Sequence, residues 1–144
     1  MLDKIAIEQK LTSLAAYLDE LEQISQYSYQ EYKANFQIKR TVERLIQLVV
    51  ECATDINGLL ITGLGEVPPR DYFSSFTALG DFSILPADFA DTLAPTTAIR
   101  NRLVHEYETV DERLVYVSVK PILEEFTQYA GLVNKYLKGT EHRA

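Results

Sequence analysis

The side chains best suited to chemistry in this sequence are Arg100, Asn101 and His105, which lie within one six-residue segment. On an α-helix each residue advances about 100° around the axis, so Asn101 and His105 lie one above the other on the same face. Arg100 lies about a quarter-turn to the side, and the three side chains share an arc of about 140°. An arc of this width lets all three side chains converge on one phosphate group.

These residue types suit the cleavage of a phosphodiester bond in RNA without a metal ion. Histidine exchanges protons near neutral pH, so His105 can accept the proton of an RNA 2′-hydroxyl. Arg100 presents a planar fork of N–H donors that matches a phosphate and stabilises the extra charge of the transition state. Asn101 can hold either the imidazole or the scissile phosphate. Because one histidine would otherwise serve as both acid and base, we hypothesise that two copies of the site meet across a homodimer interface.

Apolar residues at alternating spacings of four and three predict two helices in the first half of the chain. The first stripe covers residues 7–21. A break follows at 25–28, where Ser28 is suited to cap the next helix. The second stripe, residues 38–59, is the strongest pattern and has further apolar residues beside it. We therefore expect this helix to be the central element, buried on two sides and ended by the glycines and prolines that follow it.

The second half predicts three more helices. A short one is expected from about Asp71 to Leu79, and Pro86 suits the first turn of the next, which Pro95 should kink or briefly interrupt. A last helix should follow Asp111 and include the β-prone residues 114–117, because a lone strand has no partner to pair with. The predicted fold class is all-α, an antiparallel bundle of about five helices forming a single domain over residues 1–144, with 138–144 as a frayed tail.

Composition narrows the class of protein. The 144 residues are 47% apolar and 24% charged, as in soluble globular proteins. No apolar run reaches the roughly 18 residues needed to cross a bilayer, and the first residues lack a signal-peptide pattern. We therefore predict a cytoplasmic protein with no membrane partner. No spacing of histidines, cysteines or carboxylates indicates a metal site, and no glycine-rich phosphate loop is present, so no cofactor is predicted.

The net charge of −7 argues against indiscriminate RNA binding. Fields fall off within a Debye length of about 10 Å, so a local basic cleft can still bind RNA in an acidic protein. The candidate contacts to an RNA backbone are Arg102, beside the motif, and the pair Lys39 and Arg40 on the second predicted helix.

Simpler explanations of these residues stay open on the residue types alone. Arg100 can be a surface arginine, and His105 a helix-end histidine stabilised by the helix dipole. Four further residues that can carry chemistry are better explained as packing residues: Tyr27, Tyr29, Tyr32 and Cys52.

A family resemblance makes the motif more specific. Arg-x4-His is the defining motif of HEPN domains, and the segment 100–107, Arg-Asn-x-Leu-Val-His-x-Tyr, resembles the HepT-like subfamily in particular. The resemblance covers nearly the whole chain and includes the Pro-Pro-Arg-Asp-Tyr-Phe turn at 68–73. One departure is the segment 96–99, Thr-Thr-Ala-Ile, where relatives often carry bulkier apolar residues directly before the motif.

The resemblance implies a function and a set of partners. HepT-like proteins are homodimeric, metal-independent endoribonucleases that cut RNA such as tRNA or mRNA, with the motifs facing a shared cleft. Arg100 and His105 then take the catalytic positions, with Asn101 beside them. The family implies the toxin of a type VII-like toxin–antitoxin pair, whose partner, an MntA-like minimal nucleotidyltransferase, silences it by AMPylation of the motif tyrosine, here Tyr107. The alternative is a non-catalytic HEPN subunit that binds a nucleotide or a nucleotidyltransferase.

Overall fold

The computed structural model describes residues 1–106 and 109–141, the side chain of residue 141 excepted. Across those residues the chain forms seven α-helices and no strand, so the all-α prediction is confirmed. The helices are α1 (Lys4–Ile24), α2 (Tyr29–Ala34), α3 (Phe36–Gly63), α4 (Tyr72–Asp81), α5 (Ala87–Leu93), α6 (Thr96–His105) and α7 (Glu112–Glu141). The three long helices α1, α3 and α7 pack against one another, and α4 and α6 both pack on α3.

The boundary between α2 and α3 is the first difference from the sequence prediction. Ser28 caps a helix as predicted, and it forms a capping box with Glu31. That helix ends after six residues, however, because Asn35 adopts an extended conformation. The Oδ1 atom of Asn35 accepts from the backbone N–H groups of Gln37 and Ile38, at 2.9 and 3.3 Å. Asn35 therefore caps a second helix, α3, instead of continuing the first.

The central helix α3 is the core of the fold, as its pattern predicts. Residues such as Ile46, Val49 and Ile56 are fully buried among the other helices. By length and composition alone α3 is apolar enough to cross a membrane, but 56% of its most apolar window is buried inside the protein. The helix ends at Gly63, and Gly65 follows with a φ of 81°, a conformation that favours glycine.

Pro95 interrupts the helix that the sequence predicts after Pro86. The result is two helices, α5 and α6, which together with the break at Asn35 raise the count from about five to seven. Thr96 and Thr97 follow the proline and are buried, and their hydroxyls donate to backbone carbonyls of the preceding turn at 2.6 and 2.8 Å. These bonds satisfy the polar groups that the break would leave unpaired. The small residues before the motif therefore let α6 begin close against the core.

The last helix, α7, includes the β-prone residues 114–117 and continues through Pro121, whose ring is exposed. The predicted frayed tail began at residue 138, but residues 138–141 are helical. The reason is packing, since Val133 and Leu137 are 0% and 3% exposed and hold the final turns against the bundle. Residues 142–144 of the predicted tail lie outside the described residues.

A buried polar network joins α3, α4 and α7. Asn57 is fully buried, and its Nδ2 atom donates to the Ser75 hydroxyl at 3.1 Å. The Tyr129 hydroxyl lies 2.6 Å from Oδ1 of Asn57 and 3.0 Å from the Ala53 carbonyl, and it can donate to either. Ser75 in turn donates to the Tyr72 carbonyl at 2.7 Å. Because buried polar groups tolerate few alternative partners, this network fixes the position of α4 on the core.

Cys52, Tyr29 and Tyr32 pack against the core, as the simpler explanation predicts, whereas Tyr27 is 40% exposed and the packing prediction is wrong for it. Cys52 is buried, its thiol donates to the Lys10 carbonyl at 3.2 Å, and burial raises the pKa of the thiol. Tyr29, Tyr32 and Tyr116 form an aromatic cluster in which Tyr116 lies 5.3 Å from each of the other two ring centroids. These contacts explain the residues as packing residues.

Candidate active site

The helix α6 presents the motif to solvent on one side and packs on the core through the other. Leu103 is buried, whereas Asn101, Arg102 and His105 are exposed and Arg100 is half-buried. The segment from Arg100 to His105 is helical throughout, so the arc that the spacing predicts is present. Along the helix axis Arg100 and His105 are separated by a rise of about 7.5 Å.

Arg100 is held by three neighbours. Its Nε atom donates to Oε2 of Glu51 at 3.0 Å, and its Nη2 atom lies 3.0 Å from the same oxygen. Its Nη1 atom donates to Oδ1 of Asn101 at 3.2 Å. The guanidinium carbon lies 4.5 Å from the ring centroid of Tyr72, which is cation–π geometry. The guanidinium therefore has a defined orientation before any substrate binds.

Glu51 and Tyr72 are site residues that the motif did not identify. Glu51 interrupts the apolar run 48–53, Leu-Val-Val-Glu-Cys-Ala, and a carboxylate in such a run signals a specific partner. Its side chain is 27% exposed and that of Arg100 only 16%, so solvent screens this pair less than a surface pair. Tyr72 belongs to the turn at 68–73, and its position is set by the Asp71 cap of α4 and by the network behind it.

The sequence predicts that Asn101 holds either the imidazole or the scissile phosphate, but its contact in the structure is with Arg100. Its side-chain oxygen accepts from Arg100. No hydrogen bond joins Asn101 to His105 within the residues that the structure describes. His105 is the last residue of α6, with its side chain exposed. Among the described residues the imidazole has no hydrogen bond to the motif helix, and it is exposed to solvent.

The prediction for Tyr107 lies outside the described residues. The motif helix α6 ends two residues before that position, at His105. Glu106 has φ −135° and ψ 34°, and its N–H donates to the Arg102 carbonyl at 2.8 Å.

The basic residues predicted to contact RNA fall into two places. Arg102 is exposed on the motif helix. Lys39 lies twelve residues before Glu51 on α3, which is about 18 Å along the axis, and its Nζ atom lies 2.7 Å from Glu112. Its neighbour Arg40 pairs with Glu43 at 2.8 Å. The charges at the start of α3 are thus partly neutralised and distant from Arg100.

No three side chains among His, Cys, Asp and Glu come close enough to hold a metal ion in the described part of the chain. The groups that meet at Arg100 and His105 are the guanidinium, the amide of Asn101, the imidazole and the carboxylate of Glu51, and Arg102 adds a second cation on the same helix. Together they offer a phosphate-binding donor, a proton carrier and a fixed support for the donor.

Comparison with known proteins places the chain in a class. The family described as Ribonuclease HepT-like matches residues 14–133. A tRNA nuclease HepT from Aphanizomenon flos-aquae is 32% identical over 136 residues, covering 94% of this chain and 92% of that protein. An mRNA nuclease HepT from Shewanella oneidensis is 24% identical over 107 residues, covering 72% and 77% respectively. The chain therefore belongs to the HepT-like ribonuclease family of HEPN proteins.

Solved structures share the fold. The cytosolic protein YutE from Bacillus subtilis, whose function is unknown, has a TM-score of 0.83 at 22% identity over 96% of this chain and 93% of that one. A tri-AMPylated Shewanella oneidensis HEPN toxin, solved in complex with an MNT antitoxin, has a TM-score of 0.82 at 22% identity over 94% and 99%. The predicted HEPN-like helical bundle is confirmed by these likenesses.

Proposed function

We propose that this chain is a metal-independent endoribonuclease and the toxin of a toxin–antitoxin pair. The observation that carries the proposal is the Arg-Asn-x-Leu-Val-His motif on an exposed helix, with its arginine already oriented by Glu51 and Tyr72. The family and the full-length likeness to a tRNA nuclease support the same chemistry. Arg100 and His105 are the proposed catalytic residues, Asn101 supports Arg100, and Arg102 is a contact to the RNA backbone.

The proposed reaction begins at the RNA 2′-hydroxyl. His105 accepts its proton, the 2′-oxygen attacks the adjacent phosphorus, and the bond from phosphorus to the 5′-oxygen of the next nucleotide breaks. The products are a 2′,3′-cyclic phosphate and a 5′-hydroxyl. Arg100 donates to the non-bridging oxygens, where negative charge grows in the transition state.

A homodimer supplies the proton that the leaving 5′-oxygen needs. One imidazole acts as base and the second, from the other copy of the site, acts as acid. Apolar side chains are exposed on and just before α4, the helix that carries Tyr72, since Phe73 is 49% exposed and Val67 is 90% exposed. Exposed apolar side chains of this kind mark interaction surfaces when they are grouped.

The experiment that tests this function is cleavage of total tRNA and a model mRNA by the purified protein in EDTA. The intact mass must first show that the sample is unmodified, and light scattering must give its oligomeric state. We expect a dimer that cuts RNA at an undiminished rate in EDTA and leaves 2′,3′-cyclic phosphate ends. If cleavage stopped in EDTA and returned only when a divalent ion was added, the metal-independent mechanism would be contradicted.

The proposed partner is an MntA-like minimal nucleotidyltransferase that transfers AMP from ATP to the hydroxyl of Tyr107, with release of pyrophosphate. The AMPylated toxin in the structure from Shewanella oneidensis supports a modification of this kind. Each added nucleotide brings a charged phosphodiester into a cleft that must hold RNA phosphate, so it should block substrate by repulsion and occupancy. Because the proposed target is intracellular RNA, the predicted cytoplasmic location is consistent with this role.

Co-expression with the cognate nucleotidyltransferase tests this silencing. We expect the intact mass to rise by whole AMP units and RNA cleavage to fall at least about tenfold, the effect of a lost productive contact. Tyr107→Phe should stay unmodified at this position and keep its cleavage activity in the presence of the partner. If the partner silenced the Tyr107→Phe variant as strongly as wild type, silencing would act by binding and not through this hydroxyl.

Two observations favour the alternative, a non-catalytic subunit that binds a nucleotide or a nucleotidyltransferase. Arg100 is paired with a carboxylate within its own chain, and the net charge is −7, so the site is less positive than the motif alone suggests. A subunit of this kind should be harmless when expressed alone. A ribonuclease toxin should stop growth, and the arrest should disappear in an inactive variant.

A further inference from the structure

The ion pair between Arg100 and Glu51 leaves one side of the guanidinium unused. A guanidinium carries five N–H donors in a rigid planar fork. Glu51 occupies the side of Nε and Nη2, and Asn101 accepts from Nη1. Each terminal nitrogen carries two N–H groups, so one on Nη1 and one on Nη2 remain without an acceptor among the described residues. Two donors on the terminal nitrogens are the arrangement that binds two oxygens of one phosphate.

Glu51 lies on the central helix α3, between the buried residues Val50 and Cys52. Because α3 packs against α1, α4, α6 and α7, the backbone position of Glu51 is fixed by the core. The contact with Glu51 therefore fixes how the guanidinium plane of Arg100 is rotated. An exposed arginine without such a partner has no fixed rotation.

Tyr72 restricts the same guanidinium from its face. The ring lies 4.5 Å from the guanidinium carbon, so it limits movement out of the plane, whereas Glu51 limits rotation within the plane. Tyr72 is itself supported, because its carbonyl accepts from Ser75, a member of the buried network with Asn57. The two contacts together hold Arg100 in one orientation.

We propose that Glu51 is a positioning residue that holds Arg100 by its Nε side and so directs the two remaining terminal N–H groups at the phosphate of the substrate. The role rests on the ribonuclease function proposed above. Glu51 touches Arg100 and not the RNA. Its contribution lies in orienting the donor that stabilises the transition state, so it acts on the rate of the bound complex and not on the affinity for RNA.

The test compares Glu51→Gln and Glu51→Ala with wild type in steady-state cleavage of a short oligoribonucleotide. Glu51→Ala should lower kcat about 10²-fold with KM changed less than about threefold, because a misplaced group costs about that much in rate. Glu51→Gln keeps an oxygen acceptor for Nε and should recover part of the loss. Asp55→Asn and Asp55→Ala are the matched controls, since Asp55 lies one turn further along α3. Its carboxylate pairs with Lys10 at 3.0 Å and, among the described residues, does not contact the motif. Both controls should cleave like wild type.

A second measurement follows the orientation of Arg100 without cleavage. The Nε–H signal of Arg100 in a nitrogen-correlated NMR spectrum should be protected from exchange in wild type and lose that protection in Glu51→Ala. An unchanged signal would overturn the proposal, whether or not the protein cuts RNA. If wild type did not cleave RNA but the Nε–H of Arg100 still lost its protection in Glu51→Ala, the result would count against the ribonuclease function alone.

The opposite sign of the rate effect would also overturn the proposal. If Glu51 competed with the phosphate for Arg100, Glu51→Ala would cleave faster than wild type and bind RNA more tightly. A Glu51→Ala variant with wild-type kcat would show that the orientation of Arg100 does not depend on this carboxylate. Thermal unfolding of each variant verifies that the compared proteins are folded.

Discussion

Replacing His105 by alanine should lower the rate of RNA cleavage by about 10²- to 10⁴-fold, the range expected for loss of a general acid–base group. The effect should be large because the proposed dimer uses this imidazole twice, once as base and once as acid. Binding of RNA should change little, since Arg100 and the other donors remain. The measurement is kcat and KM for an oligoribonucleotide in EDTA, with dimer formation verified by light scattering.

The chain provides a matched control for this substitution. His142 is its second histidine and lies outside the motif, so His142→Ala makes the same chemical change elsewhere in the sequence. His142→Ala should retain wild-type cleavage. A His105→Ala variant that is folded, dimeric and within about fivefold of wild type would exclude the proposed proton transfer.

The second large effect is expected on stability. Asn57→Ala should lower the free energy of unfolding by about 2 kcal/mol, because it removes two buried hydrogen bonds, one from Asn57 to Ser75 and one from Tyr129 to Asn57. Urea unfolding monitored by circular dichroism measures this as a lower midpoint at unchanged slope. The change should also weaken the support of Tyr72, which reaches the network through Ser75.

The control for the stability effect is Asn134→Ala, the same substitution at an exposed position of α7. It should change the free energy of unfolding by less than about 0.5 kcal/mol. A loss below about 1 kcal/mol in Asn57→Ala would mean that the network is not the constraint that fixes α4. A Ser75→Ala variant should show a smaller loss than Asn57→Ala, since it removes one hydroxyl and leaves the bond between Asn57 and Tyr129 intact.

The helices of this protein were predictable from local pattern because burial repeats with the period of the helix. The stripe in α1 and the dense pattern in α3 each name the residues that are buried in the structure. The effects of Pro95 and Ser28 were predictable for the same local reason, since a missing N–H and a capping hydroxyl act within one turn. The break at Asn35 was not, because an asparagine can either cap a helix or continue one, and only the packing of the flanking turns decides between them.

The placement of Arg100, Asn101 and His105 on one helix was likewise a local matter, fixed by their spacing on α6. The roles assigned to them remain predictions. The partners of Arg100 were beyond local pattern, because Glu51 is 49 residues away and Tyr72 lies on a separate helix. The predicted patch of Lys39 and Arg40 shows the same limit, since its pairing with carboxylates depends on which side chains folding brings near.

By itself, then, the sequence determined the helical class, the central helix and the motif helix, since each depends on interactions within a few turns. Only the tertiary structure decided that a carboxylate of α3 and a ring of α4 meet the motif arginine. The physical reason is that ion pairs and ring contacts depend on distance in space. For residues far apart in the chain, that distance is set by the packing of the whole core.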